Sequence, residues 1–402
     1  MDRLKESACK QIERLAPRLK SISDSLWERP ELGFKEVHAN KILVDFLFDE
    51  GFSVAPGFVH RTGFKADFSN LKGGPRIGFL CEYDALPDIG HACGHNLVAE
   101  VSIAAAKATQ VVVKEAGLAA EIVVFGCPAE EGYGGKIDMV RKGAFKDIDI
   151  ALMAHTYTHD VVCPHLPARI TAEVNYTGKC CHAIGAPWQG INALDAVVMA
   201  YQSLSHLRQH IKPSNTIHAI ITKGGTRLNI IPHETTLQVE LRADTMDELT
   251  ELKRRVIACL QGSALQTGCK VVIDFANHEM KYNLLKNEAL SRLYESNGKW
   301  LKTSFRSDDY HQTNVMGSSD TGNVSHVVPT IQPAFSVDTD AAIHSTDFMI
   351  KAGLPEAQWF ALRAAKALAM TALDVIKKPE FLELIKADFD YEMRKDEDGS
   401  TK

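Results

Sequence analysis

Three runs of apolar residues, each followed by polar side chains, set the strongest constraint on the fold of this chain. The runs cover residues 76–80, 121–127 and 148–154, and a helical pattern over 96–116 separates the first from the second. Strands that alternate with helices in this way are typical of a largely parallel sheet covered on both faces. Ligands bind outside the carboxyl ends of the strands in such sheets. We therefore expect the side chains that follow the three runs to meet at one edge.

The side chains that follow these runs are of the types that bind transition metals. Cys93 and His95 lie at the start of the helical pattern, Glu130 and Glu131 follow the second run, and His155 follows the third. Thiolate, imidazole and carboxylate groups are ligands for zinc, manganese or cobalt. A helix start and a nearby metal both lower the pKa of a thiol, so the sequence predicts that Cys93 is a thiolate.

Glu130 and Glu131 stand next to each other at the end of a predicted strand. Adjacent side chains point to opposite faces of a regular strand, but where the strand enters a loop both can turn toward one pocket. One carboxylate can then bind a metal while the other acts as a general base. The residue types leave open which carboxylate does which.

Charge and composition exclude several other classes of protein. A net charge of −6 over 402 residues gives no basic field for nucleic acid or an anionic membrane. We see no apolar run of the ~18–20 residues that a transmembrane helix needs, and the N-terminal segment has the pattern of an amphipathic helix rather than of a signal peptide. Nine cysteines, an odd number without framework spacing, favour free thiols in a reducing compartment. A cytoplasmic enzyme is the expectation.

A nucleotide-binding enzyme and a scaffold without catalytic activity are two rival classes. Gly132 and Gly134 begin a G-x-G-x-x-G pattern, but Ile137 occupies its last position, and the sequence contains no G-x-x-x-x-G-K-[ST] motif. A scaffold would be expected to have lost a metal ligand or the base, whereas all of these residues are present. Both alternatives are therefore disfavoured.

The pattern of the chain changes after residue 167. Between residues 168 and 282, strand and helix patterns follow each other in the order β-α-β-β-α-β, which is that of a ferredoxin-like split βαβ unit. The sequence therefore predicts a metal-binding catalytic domain formed by residues 1–167 and 283–402. Residues 168–282 are expected to form an inserted lid or dimerisation domain.

Short segments form a further pattern that extends along nearly the whole chain: residues 29–34 (RPELGF), 91–95 (HACGH), 178–182 (GKCCH), 224–225 (GG) with 229–232 (NIIP), 319–320 (SD) and His344. This pattern resembles metallopeptidase family M-20, in the branch that carries HACGH. The resemblance implies an α/β catalytic domain of the zinc-peptidase type with a mostly parallel sheet. It also implies that the inserted ferredoxin-like α+β domain serves as a lid and joins two subunits.

The resemblance implies a cofactor of two divalent metal ions, which are zinc or else manganese or cobalt. His95 and His155 would bind one ion, and Glu131 and His344 would bind the other. Cys93 would bridge the two ions. Each of the three apolar runs is followed by at least one of these ligands: His95 after the first, Glu131 after the second and His155 after the third.

Catalytic and substrate-binding roles follow from the same resemblance. Glu130 would be the general base that acts on a metal-activated water, and Asp84 would orient a metal ligand. His182 would donate a hydrogen bond to the oxyanion, in the site of its own or of the partner subunit. Asn229 and Arg242 would grip the substrate carboxylate, for which the guanidinium fork is well suited.

The members of the family that match this pattern most fully are cytosolic dipeptidases that favour a basic C-terminal residue. The resemblance therefore implies hydrolysis of β-alanyl-lysine and of Xaa-Lys, Xaa-Orn and Xaa-Arg dipeptides. It implies a homodimer in the cytoplasm, with neither nucleic acid nor a membrane as a partner. The alternative is an N-acyl-amino-acid amidohydrolase, similar to aminoacylase, that uses the same site.

Other candidate side chains receive lesser roles. Glu82 and His91 flank the site and are expected to support the ligands rather than to bind metal. Arg227 is a weaker candidate than Arg242 for the substrate carboxylate. The histidines without supporting context are expected to be structural: His38, His60, His206, His210, His278 and His311.

Overall fold

The computed structural model describes residues Arg3–Arg306 and Gly317–Glu397, which fall into two compact units. The first unit is formed by the residues up to His165 together with Leu284–Lys395, and the second by Leu166–Asn283. Each unit buries apolar side chains of its own. The chain therefore leaves the first unit once and later returns to it.

A six-stranded sheet forms the centre of the first unit. Its strands are β1 (Ser53–Pro56), β2 (Phe64–Ser69), β3 (Arg76–Glu82), β4 (Glu121–Cys127), β5 (Ile150–Leu152) and β11 (Thr330–Ile331). Their order across the sheet is β1-β2-β4-β3-β5-β11. The pairs among β4, β3, β5 and β11 are parallel, whereas β1 and β2 add an antiparallel edge. The predicted mostly parallel sheet is confirmed.

The central strands β3 and β4 are buried on both faces. From Ile77 and from Ile122 onward, every residue of the two strands is buried. Strands of a parallel sheet are covered on both sides, so they need the continuous apolar runs found here. The two strands end side by side, with Glu82 opposite Cys127. The segments that follow them therefore begin at the same edge of the sheet.

Helices accompany this sheet, and the two faces of the sheet belong to separate cores. On β4, for example, Ile122 and Val124 belong to one core, whereas Val123 and Phe125 belong to the other. The described helices of the unit are α1 (Arg3–Glu28), α2 (Val37–Asp49), α3 (His95–Glu115), α4 (Gly135–Arg141), α7 (Glu288–Trp300), α8 (Thr321–Ser325), α9 (Thr346–Gly353), α10 (Pro355–Lys377) and α11 (Pro379–Glu397).

Helix α3 is the central helix of the unit. Helices α1 and α10 pack against it, as do β3 and β4. By length and hydropathy alone this helix could span a membrane, but 89 % of the apolar window is buried inside the fold. Its apolar composition is thus explained by its position between the sheet and two other helices.

The third apolar run forms a shorter strand than predicted, and a separate strand begins just after the run. The sequence predicts a single strand that ends at residue 154, whereas β5 ends at Leu152 and β6 (His155–Tyr157) begins a separate two-stranded sheet with β12 (Ala334–Ser336). Strands β11 and β12, which pair with β5 and β6, are separated by a segment that contains Pro333. Proline has no N–H to continue the ladder. His155 is therefore the first residue of a new strand.

The second unit has the predicted β-α-β-β-α-β order. Its elements are β7 (Ala168–Thr177), α5 (Ala193–Leu207), β8 (Thr216–Lys223), β9 (Glu234–Ala243), α6 (Met246–Thr267) and β10 (Lys270–Phe275). The strands form an antiparallel sheet in the order β10-β7-β9-β8. Buried and more exposed residues alternate along β7 and β9, since one face of the sheet packs on α5 and α6.

Candidate metal centre

The backbone of Gly94 holds Cys93 and His95 at the amino terminus of α3. Gly94 has a left-handed conformation with φ of 68°, and a Cβ atom there would lie 2.7 Å from the Thr156 side chain. The Thr156 hydroxyl donates a hydrogen bond to the carbonyl oxygen of Cys93. Only glycine allows both this conformation and this close approach. The contact brings Cys93 Sγ to 3.7 Å from His155 Nε2.

His344 reaches the same place from the segment that precedes α9. Its backbone N–H donates to the carbonyl oxygen of Ala92 at 3.0 Å. Its φ is 66°, a conformation that costs a non-glycine residue about 1–3 kcal/mol and that is often found at functional sites. His344 Nε2 lies 3.4 Å from Glu131 Oε2. The backbone of His344 is thus fixed where its ring faces Glu131.

The structure brings the five predicted metal ligands and Glu130 into one cluster. Their donor atoms fall into three groups, and within each group all atoms lie within 4.8 Å of one another. Cysteine, histidine and carboxylate donors at these separations can hold a metal ion. Cys93, His95 and Glu131 each belong to two of the groups, so the three groups form one connected cluster. The groups are Cys93–His95–His155, Cys93–Glu131–His344 and His95–Glu130–Glu131.

Hydrogen bonds orient the rings of His95 and His155. Nδ1 of His95 lies 2.9 Å from the carbonyl oxygen of Asp84, and Nδ1 of His155 lies 2.8 Å from the carbonyl oxygen of Thr156. An oxygen acceptor requires that each Nδ1 carry the proton. The Nε2 atoms are then the nitrogens left to bind a metal ion, and these are the atoms that face the cluster.

Asp84 supports two ligands at once. Its Oδ1 lies 3.2 Å from His95 Nδ1, and its Oδ2 accepts the backbone N–H of Glu131 at 3.0 Å. Burial alone would raise the pKa of Asp84, but the hydrogen bond from His95 and the charge of that ring outweigh burial and lower it. Asp84 is therefore ionised and holds His95 and Glu131 in a fixed relation.

Three buried atoms of the cluster have no hydrogen-bond partner among the described residues. They are Glu82 Oε2, His95 Nε2 and Glu131 Oε1. A buried polar atom left without a partner costs about 1–3 kcal/mol, and more when it is charged. Cations bound in the cluster would satisfy all three. The residues of the cluster therefore fit a metal centre.

Burial and the helix start act on the pKa of the Cys93 thiol in opposite directions. Burial raises the pKa of the Cys93 thiol well above its usual value, and the Glu131 carboxylate raises it further. The influence of the helix start is thus smaller than that of burial, and without metal Cys93 keeps its proton. Burial lowers the pKa of His155, so that ring is neutral, which is the form that binds metal. A bound metal would displace the thiol proton.

Glu36 fixes the loop that carries Glu130 and Glu131. Ala129 has φ of 61°, and its N–H donates to Glu36 Oε1 at 2.9 Å. The Thr62 hydroxyl donates to the other oxygen of Glu36 at 2.7 Å. Burial raises the pKa of Glu36 to about 7. The sequence alone predicts no role for Glu36, although it stands two residues after the RPELGF segment.

The RPELGF segment supports the cluster without contributing a ligand. The carbonyl oxygen of Glu31 accepts the N–H of Ala85 at 2.8 Å, which holds the chain next to Asp84. The Glu31 carboxylate accepts the N–H groups of His38 and Ala39 at 3.0 Å each, at the start of α2. The hydrogen bond between Glu31 and Ala85 thus joins the RPELGF segment to the chain next to the metal cluster.

The lesser candidates occupy different positions. His91 is buried, and burial lowers its pKa to about 3, so its ring is neutral. Glu82 lies nearer to the ligands than expected, with Oε2 3.6 Å from His95 Nε2. His311 lies outside the described residues. None of the other histidines that are expected to be structural belongs to a metal-binding group within the described ranges.

His182 and Asn229 lie together in the second unit. The N–H of Ala183 donates to the carbonyl oxygen of Asn229 at 3.0 Å, and His182 forms a β-bridge with Ile230. Nδ1 of His182 accepts the N–H groups of Ile184 and Gly185 at 3.2 and 3.3 Å. Nε2 of His182 is therefore the nitrogen that carries a proton and can donate.

Arg242 is not brought to Asn229 within this unit. It lies eight residues along β9 from Glu234, which corresponds to about 27 Å of strand. Its Nε donates to Glu240 Oε1 at 2.8 Å, and the same carboxylate pairs with Arg169 at 2.6 Å. Arg227, the weaker candidate, belongs to the same loop as Asn229.

Comparison with known proteins gives a consistent set of relatives. Residues 167–267 match the family described as the peptidase dimerisation domain. The chain is 42 % identical to the Xaa-Arg dipeptidases of Mus musculus and Homo sapiens, over 99 % of its own length and 94 % of theirs. The crystal structure of the YXEP protein from Bacillus subtilis, a dinuclear metal-binding peptidase from the M-20 family, has the same fold. It covers 90 % of this chain and 99 % of its own, with a TM-score of 0.71 and 18 % identity.

Proposed function

The chain belongs to peptidase family M-20, and from this premise we propose that it is a dipeptidase that releases a basic C-terminal residue from its substrate. The observation that carries the proposal is 42 % identity over 99 % of the chain to two Xaa-Arg dipeptidases. The substrates would be Xaa-Arg, Xaa-Lys and Xaa-Orn dipeptides, including β-alanyl-lysine. The products would be two free amino acids.

Two divalent metal ions, zinc or else manganese or cobalt, are proposed as the cofactor. His95 and His155 would hold one ion, Glu131 and His344 the other, and Cys93 would lie between them. The three unpartnered buried atoms and the donor types of the cluster support this assignment. When bound, divalent ions lower the pKa of water and polarise the scissile carbonyl group.

Glu130 is proposed as the general base. It is 6 % exposed, and its carboxylate shares a group with His95 and Glu131 at the edge of the cluster. Glu131 faces two imidazoles, with its oxygens 3.9 Å from His95 Nε2 and 3.4 Å from His344 Nε2, and so is the better ligand. Glu130 would take a proton from the attacking water and deliver it to the leaving amine. Asp84 would keep His95 and Glu131 in position during this transfer.

His182 and Asn229 are proposed to act on the substrate from the second unit. The protonated Nε2 of His182 suits a donor to the developing oxyanion. Asn229 would bind the substrate carboxylate, and Arg242 is the second candidate for that role. Because Arg242 lies far from Asn229 along β9, the two residues would serve one carboxylate only if Arg242 came from another copy of the chain.

A homodimer formed through the second unit is also proposed. The match of residues 167–267 to a dimerisation domain supports it, as does the edge strand β8. Ile220 on β8 is 59 % exposed, and an exposed apolar edge strand offers unpaired backbone groups to a second chain. A cytoplasmic location is proposed because all nine cysteines are free thiols, four of them buried.

A substrate panel tests the proposed activity. The metal-loaded protein is assayed for release of free arginine, lysine and ornithine from Xaa-Arg, Xaa-Lys and Xaa-Orn dipeptides. The controls are Xaa-Leu dipeptides and the N-acetyl derivatives of the same amino acids. We expect kcat/KM for basic dipeptides to exceed that for Xaa-Leu by at least about tenfold, or ~1.4 kcal/mol. Equal values for Xaa-Leu would contradict the basic preference, and faster cleavage of N-acetyl substrates would favour an amidohydrolase.

A further inference from the structure

Lys136 is a lysine with no exposed side-chain surface, and it lies between two equally buried carboxylates. Its ammonium group donates to Glu82 Oε1 and to Asp320 Oδ1. Its backbone N–H donates to Asp320 Oδ2 at 2.9 Å. A buried lysine needs such partners, because an isolated ammonium is costly outside water. The start of α4, which carries Lys136, is thereby fixed to Glu82 at the end of β3.

This buried triad has one negative charge more than it has positive charges. Lys136 supplies one positive charge for the two carboxylates. A buried charge without compensation costs several kcal/mol, so a cation next to the triad would be favourable. The position of that cation is indicated by the carboxylate oxygen that Lys136 does not contact.

That oxygen is Glu82 Oε2, and it faces the metal cluster. It has no hydrogen-bond partner among the described residues. It lies 3.6 Å from His95 Nε2 and 3.9 Å from His155 Nε2. These nitrogens are the ones left to bind a metal ion, because Nδ1 of each ring is paired with a carbonyl oxygen. Three atoms that can each act as a metal ligand therefore converge at one place.

We propose that Glu82 is a protein ligand of the ion that His95 and His155 hold, and that Lys136 fixes its other oxygen. The inference deepens the proposed dinuclear centre and rests on it. Zinc lies about 2.0–2.2 Å from oxygen and nitrogen ligands, so two donors on one ion are at most about 4 Å apart. Both measured distances satisfy this limit. The ion would add positive charge next to the triad.

Three variants and the wild-type protein test the inference by metal binding rather than by activity. Glu82→Gln removes the carboxylate charge at nearly constant size. The double variant Glu82→Gln with Lys136→Met also removes the ammonium group, which keeps the net charge of the triad unchanged. Glu100→Gln is the matched control, because Glu100 is equally buried but lies outside the metal-binding groups. Divalent ions per chain are measured by elemental analysis, and zinc affinity by competition with a chelator.

The expected result separates a ligand from a supporting residue. Loss of a residue that only supports a ligand typically weakens metal binding about 10–100-fold. We expect Glu82→Gln and the double variant each to lower the affinity for one of the two zinc ions by more than about 100-fold. Glu100→Gln should bind both ions as the wild type does. A loss smaller than this in either folded Glu82 variant would overturn the assignment. Equal losses in the single and double variants exclude an effect of net charge alone.

A crystal structure of the zinc-loaded wild-type protein decides the matter if the variants do not fold. Glu82 Oε2 within about 2.2 Å of an ion is the expected result, and a separation beyond about 3 Å would overturn the inference. Failure of the proposed function has a different signature. Wild-type protein that holds no pair of ions would overturn the dinuclear centre itself, whereas two ions without Glu82 would overturn only the Glu82 assignment.

Discussion

Asp84 Oδ1 lies 3.2 Å from Nδ1 of His95 and so fixes the ring whose Nε2 faces the metal cluster. The other oxygen of the same carboxylate accepts the N–H of Glu131. Two proposed ligands, one on a helix and one on a loop after a strand, are thus joined through one side chain. This relation explains why Asp84 is expected to matter although it is not itself a proposed metal ligand.

Replacement of Asp84 by alanine should weaken metal binding. The change leaves His95 Nδ1 with only a backbone acceptor and frees the backbone of Glu131. We expect zinc affinity to fall about 10–100-fold, as is typical when the partner of a ligand is lost. Chelator competition measures the change, with Glu100→Gln as the control. Unaltered affinity in a folded variant would mean that Asp84 does not position the ligands.

Glu130 and Glu131 should give opposite phenotypes. Glu130→Gln keeps the size of the side chain but removes the base, so we expect both ions to stay bound while kcat falls ~10²–10⁴-fold. Glu131→Gln should instead lose a metal ion, because Glu131 faces His95 and His344. Elemental analysis and steady-state kinetics on the two variants check this pair. The reverse pattern would exchange the two roles.

His182→Ala should lower kcat about 10²–10³-fold with little change in KM, because a donor to the oxyanion acts mainly in the transition state. Its metal content should be unchanged.

A mixture of His182→Ala and Glu130→Gln subunits then tests whether the histidine acts across a dimer. If it does, random mixing should restore roughly a quarter of wild-type activity, since half of the dimers are hybrids with one intact site. No recovery despite proven subunit exchange would place His182 in the site of its own subunit.

The stability of the protein should depend on pH through Glu100. Burial raises the pKa of Glu100 from 4.5 to about 7. The folded state therefore binds a proton between these two values that the unfolded state has released, and stability falls as pH rises from 4.5 to 7. Glu100→Gln cannot titrate, so it should be more stable than wild type at pH 8 by up to about 3 kcal/mol, with little difference below pH 4.5. Chemical unfolding of the metal-free proteins at the two pH values measures this. A stability difference independent of pH would contradict it.

The elements that carry the ligands could be predicted from sequence because their signals are local. The run at 121–127 and strand β4 coincide, and the helix that begins at His95 follows directly from the apolar pattern after Gly94. The carboxyl ends of adjacent parallel strands meet by geometry, so Glu130 and His95 could be expected at one edge. His155 was less well described, since the interruption at Pro333 comes from a partner strand almost 180 residues away in sequence.

Other features depend on contacts that no local pattern reports. Glu36 binds the N–H of Ala129, and Lys136 joins Glu82 to Asp320, so each acts across more than 50 residues of sequence. A lone glutamate or lysine is usually exposed, and its burial is visible only in the fold. The sequence likewise does not predict helix α11, which is rich in charged residues.

The metal content of the wild-type protein and of Cys93→Ser tests the central claim most directly. Cys93 belongs both to the group that contains His155 and to the group that contains His344, so its loss should affect both proposed ion positions. Elemental analysis of wild-type protein should give two divalent ions per chain, and Cys93→Ser should lose metal and dipeptidase activity together. A Cys93→Ser protein with two ions per chain and normal turnover would contradict the dinuclear centre proposed here.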